Sequence, residues 1–594
     1  MKRSSVIRAL PGVVALAGLL ALPWWAQSYY VHIVALIGVF VVVAVGMNIL
    51  VGFTGLVSLG HAGLFAVGAY TSALLSTRAG LTFWLSAAAA IATASLVGGV
   101  LALAALRARG IYLAMVTIAF GIIVEQVALD RAEFTGGFMG VSSIPPPSVA
   151  GVAFPPAFRL YLILAVAGGS LWLAHNLRRS RWGRGLLAVR ENRVAAESLG
   201  VSRYRMESTA FVLSAGLTGL GGALYAHQNA FIAPNIFTFD LSVLMLLLVI
   251  LGGLGTTWGP AIGTGVLLIL PELISGFEEY RLITYGAVML ACLYLMPQGI
   301  AGVFEGARAR SYSGEARPGL ALEGRPLAAV LSGRAAVDER GRSLVRVEQV
   351  SKAFGGLLAV SQLSLAIRAG TIHSLIGPNG AGKTTLVNLL SGFYRPTAGE
   401  ISFRERRVTG WAAHRMVGVG VARTFQTTHL FPRLTVLENV LVGLHRHLSE
   451  GFGQALFRTP RLRTAERRAE AEALAALEFV GFPGDPREKA GNLAFGHQRL
   501  LEIARALVTR PVLLLLDEPA AGLTSWEITE LDKLITRINS MGVTVLLIEH
   551  HMDLVMGISD YVTVLDYGKK IAEGTPEEVQ ANPQVVEAYL GNEA

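Results

Sequence analysis

A short β-like run, Thr371 to Ile376, leads into Gly377-Pro378-Asn379-Gly380-Ala381-Gly382-Lys383-Thr384, and a helical pattern follows from Thr385. Strand, glycine-rich loop and helix in that order are what a phosphate-binding loop needs. Its glycines let backbone N–H groups curl around phosphate oxygens, and the helix N-terminus adds positive potential. Lys383 is placed to reach the terminal phosphates, Thr384 to offer a hydroxyl to Mg²⁺, and Thr385 completes the nucleotide-contacting run.

A second constellation lies downstream. The apolar run Val512 to Leu516 ends in Asp517-Glu518-Pro519. Two acids after a buried strand are weak evidence alone, but beside a phosphate loop they acquire roles. Asp517 can hold Mg²⁺ through its inner or outer shell, and Glu518 can polarise an attacking water. The chemistry implied is phosphoryl transfer from a nucleoside triphosphate such as ATP.

These residues must be positioned by an α/β domain. Short β-like runs, Leu344 to Val350 among them, alternate with helical patterns through the C-terminal part, which argues for a central sheet. Residues 305–342 are rich in Gly, Arg, Ala and Pro without sustained apolar period and read as a tether. The expected division is therefore 1–303 in the membrane, 304–342 as linker and 343–594 as the nucleotide-binding domain.

The N-terminal half obeys a different physics. Of 594 residues 53% are hydrophobic and only 15% charged, so part of the chain must face lipid. Between Leu10 and Leu106 the one formally charged side chain is Arg78. A bilayer core takes about 20 apolar residues in helix. Runs of that kind are expected at 10–26, 31–53, 57–76, 82–106, 111–129, 160–176, 208–230, 240–253, 258–275 and 282–303, the eighth being short. Ten crossings from an inside N-terminus, or eight, return the chain to the side where ATP is available. Lys2, Arg3 and Arg8 before the first run are read as flanking a membrane helix rather than a cleaved signal peptide.

Charge placement fits this topology. Arg178, Arg179, Arg181, Arg184, Arg190, Arg193, Arg203 and Arg205 crowd one loop, which is thereby assigned to the cytoplasm. Residues 132–158, with five prolines and few charges, are assigned outside. The net charge of +9 fits this membrane bias better than nucleic-acid binding, and a single cysteine, Cys292, excludes an intrachain disulfide. Small residues including Gly60, Gly63, Gly68 and Ala69 serve either a translocation path, a permease contact or ordinary close packing. His61 and Glu125 stand as pathway candidates or as hydrogen-bonded structural groups. The run Gly252 to Pro260 suggests a broken helix or re-entrant turn.

Taken in order over about 250 residues, the C-terminal motifs resemble the nucleotide-binding subunit of an ATP-binding cassette transporter, which implies a P-loop cassette with a helical subdomain. By that resemblance Phe354 stacks on adenine, Gln426 senses magnesium and the membrane domain, and His550 contacts the γ-phosphate. The family's signature loop, Leu-Ser-Gly-Gly-Gln, is replaced here by Leu493-Ala494-Phe495-Gly496-His497-Gln498, before a helix expected over Leu500 to Leu507. Ala494 lacks the serine hydroxyl, so the backbone amides around Gly496 would hold the anion, with Phe495 and His497 completing the loop. Thr524 and His551 each stand where the family usually has aspartate.

The altered signature, the run Asp517 to Leu523 and the closing Glu587 to Gly591 resemble the ATPase subunit of branched-chain amino acid importers. Ser58 to Gly63, Gly252 to Pro260 and Asn192 to Gly200 resemble that system's permease subunit. The resemblance implies two normally separate subunits fused into an ATP-driven importer of the bacterial inner membrane. It also implies partners: a second permease and cassette, or a second copy of this chain, and an external solute-binding protein. The loop around Ala195, Ala196, Glu197 and Gly200 would be the coupling helix, docking near Gln426. Import of urea, short amides or aromatic acids, an ATP-gated channel or regulatory membrane ATPase, and export are the competing readings.

Overall fold

The computed structural model describes residues 18–105, 111–273 and 341–590, with 283, 286–287, 290–291, 294–296 and 298–303. Residues 10–17 of the first expected span, parts of the last two spans, Cys292 and nearly all of the expected linker lie outside the described residues.

In chain order the helices of the N-terminal half are α1 (Ser28–Met47), α2 (His61–Thr77), α3 (Phe83–Ala105), α4 (Ile111–Asp130), α5 (Pro156–Arg178), α6 (Arg181–Glu191), α7 (Arg193–Ser198), α8 (Arg203–Asn229), α9 (Phe239–Gly252) and α10 (Gly259–Leu273). The described chain forms two compact units. One holds the described parts of Met1–Arg179 and Tyr204–Pro318, and the other those of Ser180–Arg203 and Gly319–Ala594. Helices α6 and α7 thus belong with the C-terminal half, although sequence places them between two apolar helices.

Six described helices are long and apolar enough to cross a membrane: Ser28–Gly52, Phe83–Ala104, Ile111–Asp130, Pro156–Arg178, Arg203–Asn229 and Pro234–Gly252. Ser28–Gly52 is mostly enclosed by its neighbours, whereas Ile111–Asp130 turns most of its apolar side chains outward. A helix apolar on its outer face suits lipid and not water.

Close approach of backbones shapes this bundle. A Cβ on Gly68 of α2 would lie 2.3 Å from the carbonyl oxygen of Gly219 on α8, so only a glycine fits that crossing. Helix α9 stops at Gly252, Gly253 takes φ +118°, and α10 begins at Gly259. The interrupted helix expected from sequence is present.

This turn is clasped by Asn48. A single π-turn, Asn48–Gly52, extends α1, and the buried Asn48 amide donates to Thr256 O (2.9 Å) and accepts from Gly255 N (2.8 Å). His61 is fully buried at the start of α2, with Nδ1 3.1 Å from Ser58 Oγ and Nε2 2.8 Å from Ser214 Oγ. Ser242 Oγ of α9 accepts from Ala62 N, satisfying one orphan donor of that helix start. Of the two readings of His61, this geometry supports the hydrogen-bonded structural one. Glu125 on α4 is part-exposed.

The second unit is built on two sheets. Strands β1 (Ser343–Phe354), β2 (Leu357–Arg368), β4 (Ala398–Phe403) and β5 (Arg406–Arg407) form an antiparallel sheet in the order β2-β1-β4-β5. Strands β3 (Ile372–Ile376), β6 (Val421–Arg423), β7 (Leu513–Asp517), β8 (Thr544–Ile548), β9 (Tyr561–Asp566) and β10 (Lys569–Gly574) form a six-stranded sheet, β6-β7-β8-β3-β9-β10. Its first five strands run parallel, and β3, β7 and β8 are buried at every residue. Continuous apolar runs such as Leu513 to Leu516 are what a strand covered on both faces requires. Helices α11 (Lys383–Leu390), α12 (Ala413–Val419), α13 (Val436–Gly443), α14 (Phe452–Phe457), α15 (Pro460–Phe479), α16 (Phe495–Leu507), α17 (Ser525–Ser540), α18 (Met552–Ile558), α19 (Pro576–Gln580) and α20 (Pro583–Leu590) complete the unit with α6 and α7. Helices α13, α15 and α16 pack together as a helical layer.

In this unit two helix starts differ from the sequence expectation. Helix α11 begins at Lys383 rather than Thr385, and α16 at Phe495 rather than Leu500. In each case the helix begins inside the loop, ahead of the apolar periodicity that marks it in the sequence.

Candidate active site

In an open parallel sheet, ligand sites gather at the carboxyl ends of the strands. Here β6, β7, β8 and β3 lie side by side and parallel, so their carboxyl ends form one edge. That edge carries the loop with Gln426, then Asp517-Glu518, then His550, then Gly377–Thr384.

The phosphate loop is shaped by positive φ at Gly377 (+147°), Gly380 (+85°) and Gly382 (+96°). A Cβ at Gly382 would meet Ala359 O at 2.5 Å, so the loop is closed to larger residues there. Lys383 Nζ donates to the carbonyls of Gly377 (2.7 Å) and Pro378 (3.0 Å), which holds the ammonium across the loop. Burial lowers its pKa, opposed by the charges of Glu518 and Asp517. Thr384 is exposed in the first turn of α11, Thr385 is half-buried behind it, and Ala381 is buried.

Three sequence-expected residues meet at Glu518. Its Oε2 accepts from Gln426 Nε2 (2.8 Å) and its Oε1 lies 3.2 Å from His550 Nε2. Glu518 adopts φ +47°, a left-handed conformation costly for a non-glycine residue, of order 1–3 kcal/mol. Its N–H donates to Ile548 O on β8, fixing that conformation from the neighbouring strand. The adjacent Asp517 is buried, and its Oδ2 accepts from Arg423 at 2.8 Å. Burial pushes the Asp517 carboxyl up and the Arg423 guanidinium down, with their ion pair opposing both shifts.

Phe354, at the end of β1, is 42% exposed and meets Tyr394 edge-on at 5.2 Å. Lys352 Nζ lies 4.9 Å from its ring centroid. The signature residues stand apart: among the described residues no hydrogen bond joins Ala494–His497 to 377–385. Ala494 is the N-cap of α16 without a side-chain cap, and Phe495 is exposed. A Cβ on Gly496 would fall 2.3 Å from Glu527 Oε1. His497 packs edge-on against Phe482 at 5.9 Å. Thr524, in place of aspartate, caps α17, its hydroxyl accepting from Glu527 N while the Glu527 carboxylate accepts from Thr524 N.

The loop between α5 and α8 docks on this same unit. Helix α7 packs on α12, and Asn192 Nδ2 lies 3.1 Å from His429 Nδ1, three residues beyond Gln426. Glu191 Oε2 accepts from Arg433 N (3.1 Å), and Arg184 pairs with Glu466 of α15 at 2.8 Å. Trp182 meets Phe452 of α14 edge-on at 5.2 Å. The cationic loop read as cytoplasmic is therefore also a docking element.

Comparison with known proteins covers both halves. The model of the branched-chain amino acid transport system/permease component matches residues 29–295, that of ABC transporters 360–521, and that of branched-chain amino acid ATP-binding cassette transporters 569–594. The ATP-binding protein LivG of Salmonella typhimurium is 50% identical over 249 residues, 42% of this chain and 98% of LivG. BraF of Pseudomonas aeruginosa is 48% identical over 251 residues, again 42% of this chain and 98% of BraF. The permease LivM of Escherichia coli is 35% identical over 321 residues, 50% of this chain and 76% of LivM. The chain belongs to the branched-chain amino acid ATP-binding cassette transporter family. It joins in one polypeptide what resembles a permease and what resembles an ATPase, and in this family the cassette couples ATP hydrolysis to transport.

Sequence reasoning missed the residues that hold this family's site in place. Arg423 braces Asp517, and Glu549 Oε1 accepts from Ala520 N (2.6 Å) while its Oε2 accepts from His550 N (3.1 Å). Arg499 and Glu502 pair on α16 beneath these loops, whereas Arg505, which also faces Glu502, makes no hydrogen bond to Gln426, Glu518 or His550 among the described residues. The signal was present as three charges at i, i+3 and i+6 among the apolar residues Leu500 to Leu507.

Proposed function

We propose that this chain imports branched-chain amino acids across a bacterial inner membrane, with residues 1–303 as permease, 304–342 as tether and 343–594 as a cytoplasmic ATPase. The observation that carries the reading is the meeting of Gln426, Glu518 and His550 on the edge that bears the phosphate loop. Each comes from a different loop, so a nucleotide there would touch all of them.

Backbone N–H groups of Gly377–Thr384 and the Lys383 ammonium bind the phosphates of ATP, while Phe354 stacks on the adenine. Oxygen donors suit Mg²⁺. The exposed Thr384 hydroxyl, Gln426 and Asp517, whose Oδ2 is already committed to Arg423, fit as its ligands. Bound there, the ion would neutralise charge developing on the phosphates. Glu518 orients and polarises the attacking water, and His550, held 3.2 Å away, steadies that carboxylate and contacts the γ-phosphate.

The loop Ala494–His497 serves the nucleotide of a second cassette, which supports a partner: a second copy or separate permease and ATPase chains. Closure of two cassettes over ATP favours one permease conformation and hydrolysis releases it, a ligand-linked population shift. Residues 180–203 carry that shift to the permease helices flanking them in sequence. An external solute-binding protein supplies the amino acid.

The test is uptake into proteoliposomes with the partners and a binding protein. Labelled leucine accumulates against its gradient, and urea, short amides and aromatic acids compete poorly. Lys383→Ala abolishes nucleotide-dependent uptake. Glu518→Gln binds ATP but lowers turnover by about 10²-fold or more. Normal uptake by Glu518→Gln at equal abundance removes the water-polarising role, and substrate-independent conductance replaces import with a gated channel.

A further inference from the structure

A guanidinium that is 1% exposed has few reasons to be there, and Arg499 makes hydrogen bonds to two functional loops at once. Its Nη1 donates to Phe425 O (2.6 Å), and its Nη2 donates to Gln426 O (3.0 Å) and Glu518 O (3.2 Å). Nη1 also donates to Glu502 Oε2 (3.0 Å), and the other oxygen of Glu502 accepts from Phe425 N (3.1 Å). One rigid fork therefore grips the backbone beneath the Gln426 side chain and the backbone beneath Glu518.

The fork is rooted in the signature helix. Arg499 lies one turn beyond Phe495 on α16, and its Cζ is 5.9 Å from the Phe495 ring centroid. Phe495 is 44% exposed at the helix start, so whatever seats against the signature loop pushes on the residue that Arg499 covers. Glu518 needs such a brace, because its left-handed φ of +47° and its contacts to Gln426 and His550 leave little tolerance for backbone drift.

We propose that Arg499 is a positioning residue for ATP hydrolysis, setting the backbone of Gln426 and Glu518 from the signature helix. The proposal rests on the assignment of Glu518 to water activation. Arg499 acts through the backbone of both loops. A lysine there keeps the charge opposite Glu502, but one ammonium cannot reproduce the planar fork across three carbonyls.

Arg505 provides a burial-matched control. It is 2% exposed, belongs to the same ion cluster through Glu502 (3.9 Å), and makes no hydrogen bond to Gln426 or Glu518 among the described residues. The experiment compares Arg499→Lys, Arg505→Lys and Glu518→Gln in the assembled transporter, reading ATPase kcat, KM for ATP and melting temperature. Arg499→Lys is expected to lower kcat about tenfold with KM within twofold, while Arg505→Lys keeps kcat within twofold. If Arg499→Lys retains kcat, or loses it only in step with a rise in KM, or if Arg505→Lys loses as much, positioning by Arg499 is wrong. Should Arg499→Lys melt early, Arg499→Gln, which retains a planar donor, replaces it under the same criteria. Glu518→Gln separates the two assignments: if it stalls while Arg499→Lys turns over normally, only the present inference falls, and if it turns over normally both fall.

Discussion

Arg184 and Glu466 form a buried ion pair at 2.8 Å, with side chains only 7% and 14% exposed. Arg184 lies in a loop joining two apolar helices, and Glu466 on α15 of the cassette's helical layer. A second hydrogen bond, Nη2 to Glu466 Oε1 at 3.0 Å, makes the pair bidentate. Removing one partner strands a charge away from water, which costs far more than the pair itself contributes. Arg184→Met and Glu466→Met should each destabilise the docked loop, by about 3 kcal/mol, whereas the double replacement costs less than either sum suggests. A double-mutant cycle on thermal unfolding measures this, and simple additivity would exclude the pairing. In transport assays the single variants should lose uptake more than ATPase.

His373 sits inside β3 with Nε2 2.8 Å from Thr563 Oγ1. Burial holds its imidazole neutral, down at about 4, with Glu573 opposing and Lys570 and Arg368 assisting. An unfolded histidine takes its proton near 6.5, so below that pH the unfolded chain binds more protons than the folded one. Stability is therefore complete above about pH 6.5 and falls on acidification toward 4, at up to about 1.4 kcal/mol per pH unit. Melting of the transporter between pH 7.5 and 5 should show this slope, and His373→Gln should flatten it. An unchanged slope in that variant would assign the acid sensitivity to other groups.

Asn48 makes two hydrogen bonds to the turn between α9 and α10 from the π-turn that ends α1. Asn48→Leu leaves Gly255 N and Thr256 O unpaired where water is scarce, at a cost of about 1–3 kcal/mol for each. The expected result is a lower melting temperature in detergent and reduced uptake at near-parental ATPase, since the cassette is untouched. Asn48→Asp, when ionised, keeps an acceptor for Gly255 N but buries a charge against Thr256 O, and should destabilise at least as much as the leucine variant.

How much of this was legible in the sequence depended on the range of the interactions. The phosphate loop and the strand ending in Asp517 are contiguous signals, read directly from apolar runs and glycines. Gln426 and His550 carry no local pattern, and resemblance alone located them before the sheet order explained why they meet Glu518. Arg499 and Arg423 were not found because their partners lie at distant positions, and a cation in a helix or strand ordinarily faces water. The docking of α6 and α7 was foreseen only as a consequence of family likeness, and basic composition alone gave a cytoplasmic loop. Helix starts were read late where the helix begins inside a loop, as at Phe495.

Residues 180–203 are packed with the cassette yet lie in sequence between two apolar helices of the N-terminal half. A protease cut within 304–340 would leave the N-terminal fragment still carrying the peg that the C-terminal fragment holds. The halves should then co-purify as a nicked pair. Fusion in this chain would serve chiefly to keep the local concentration of its own cassette high against free cassettes from elsewhere in the cell.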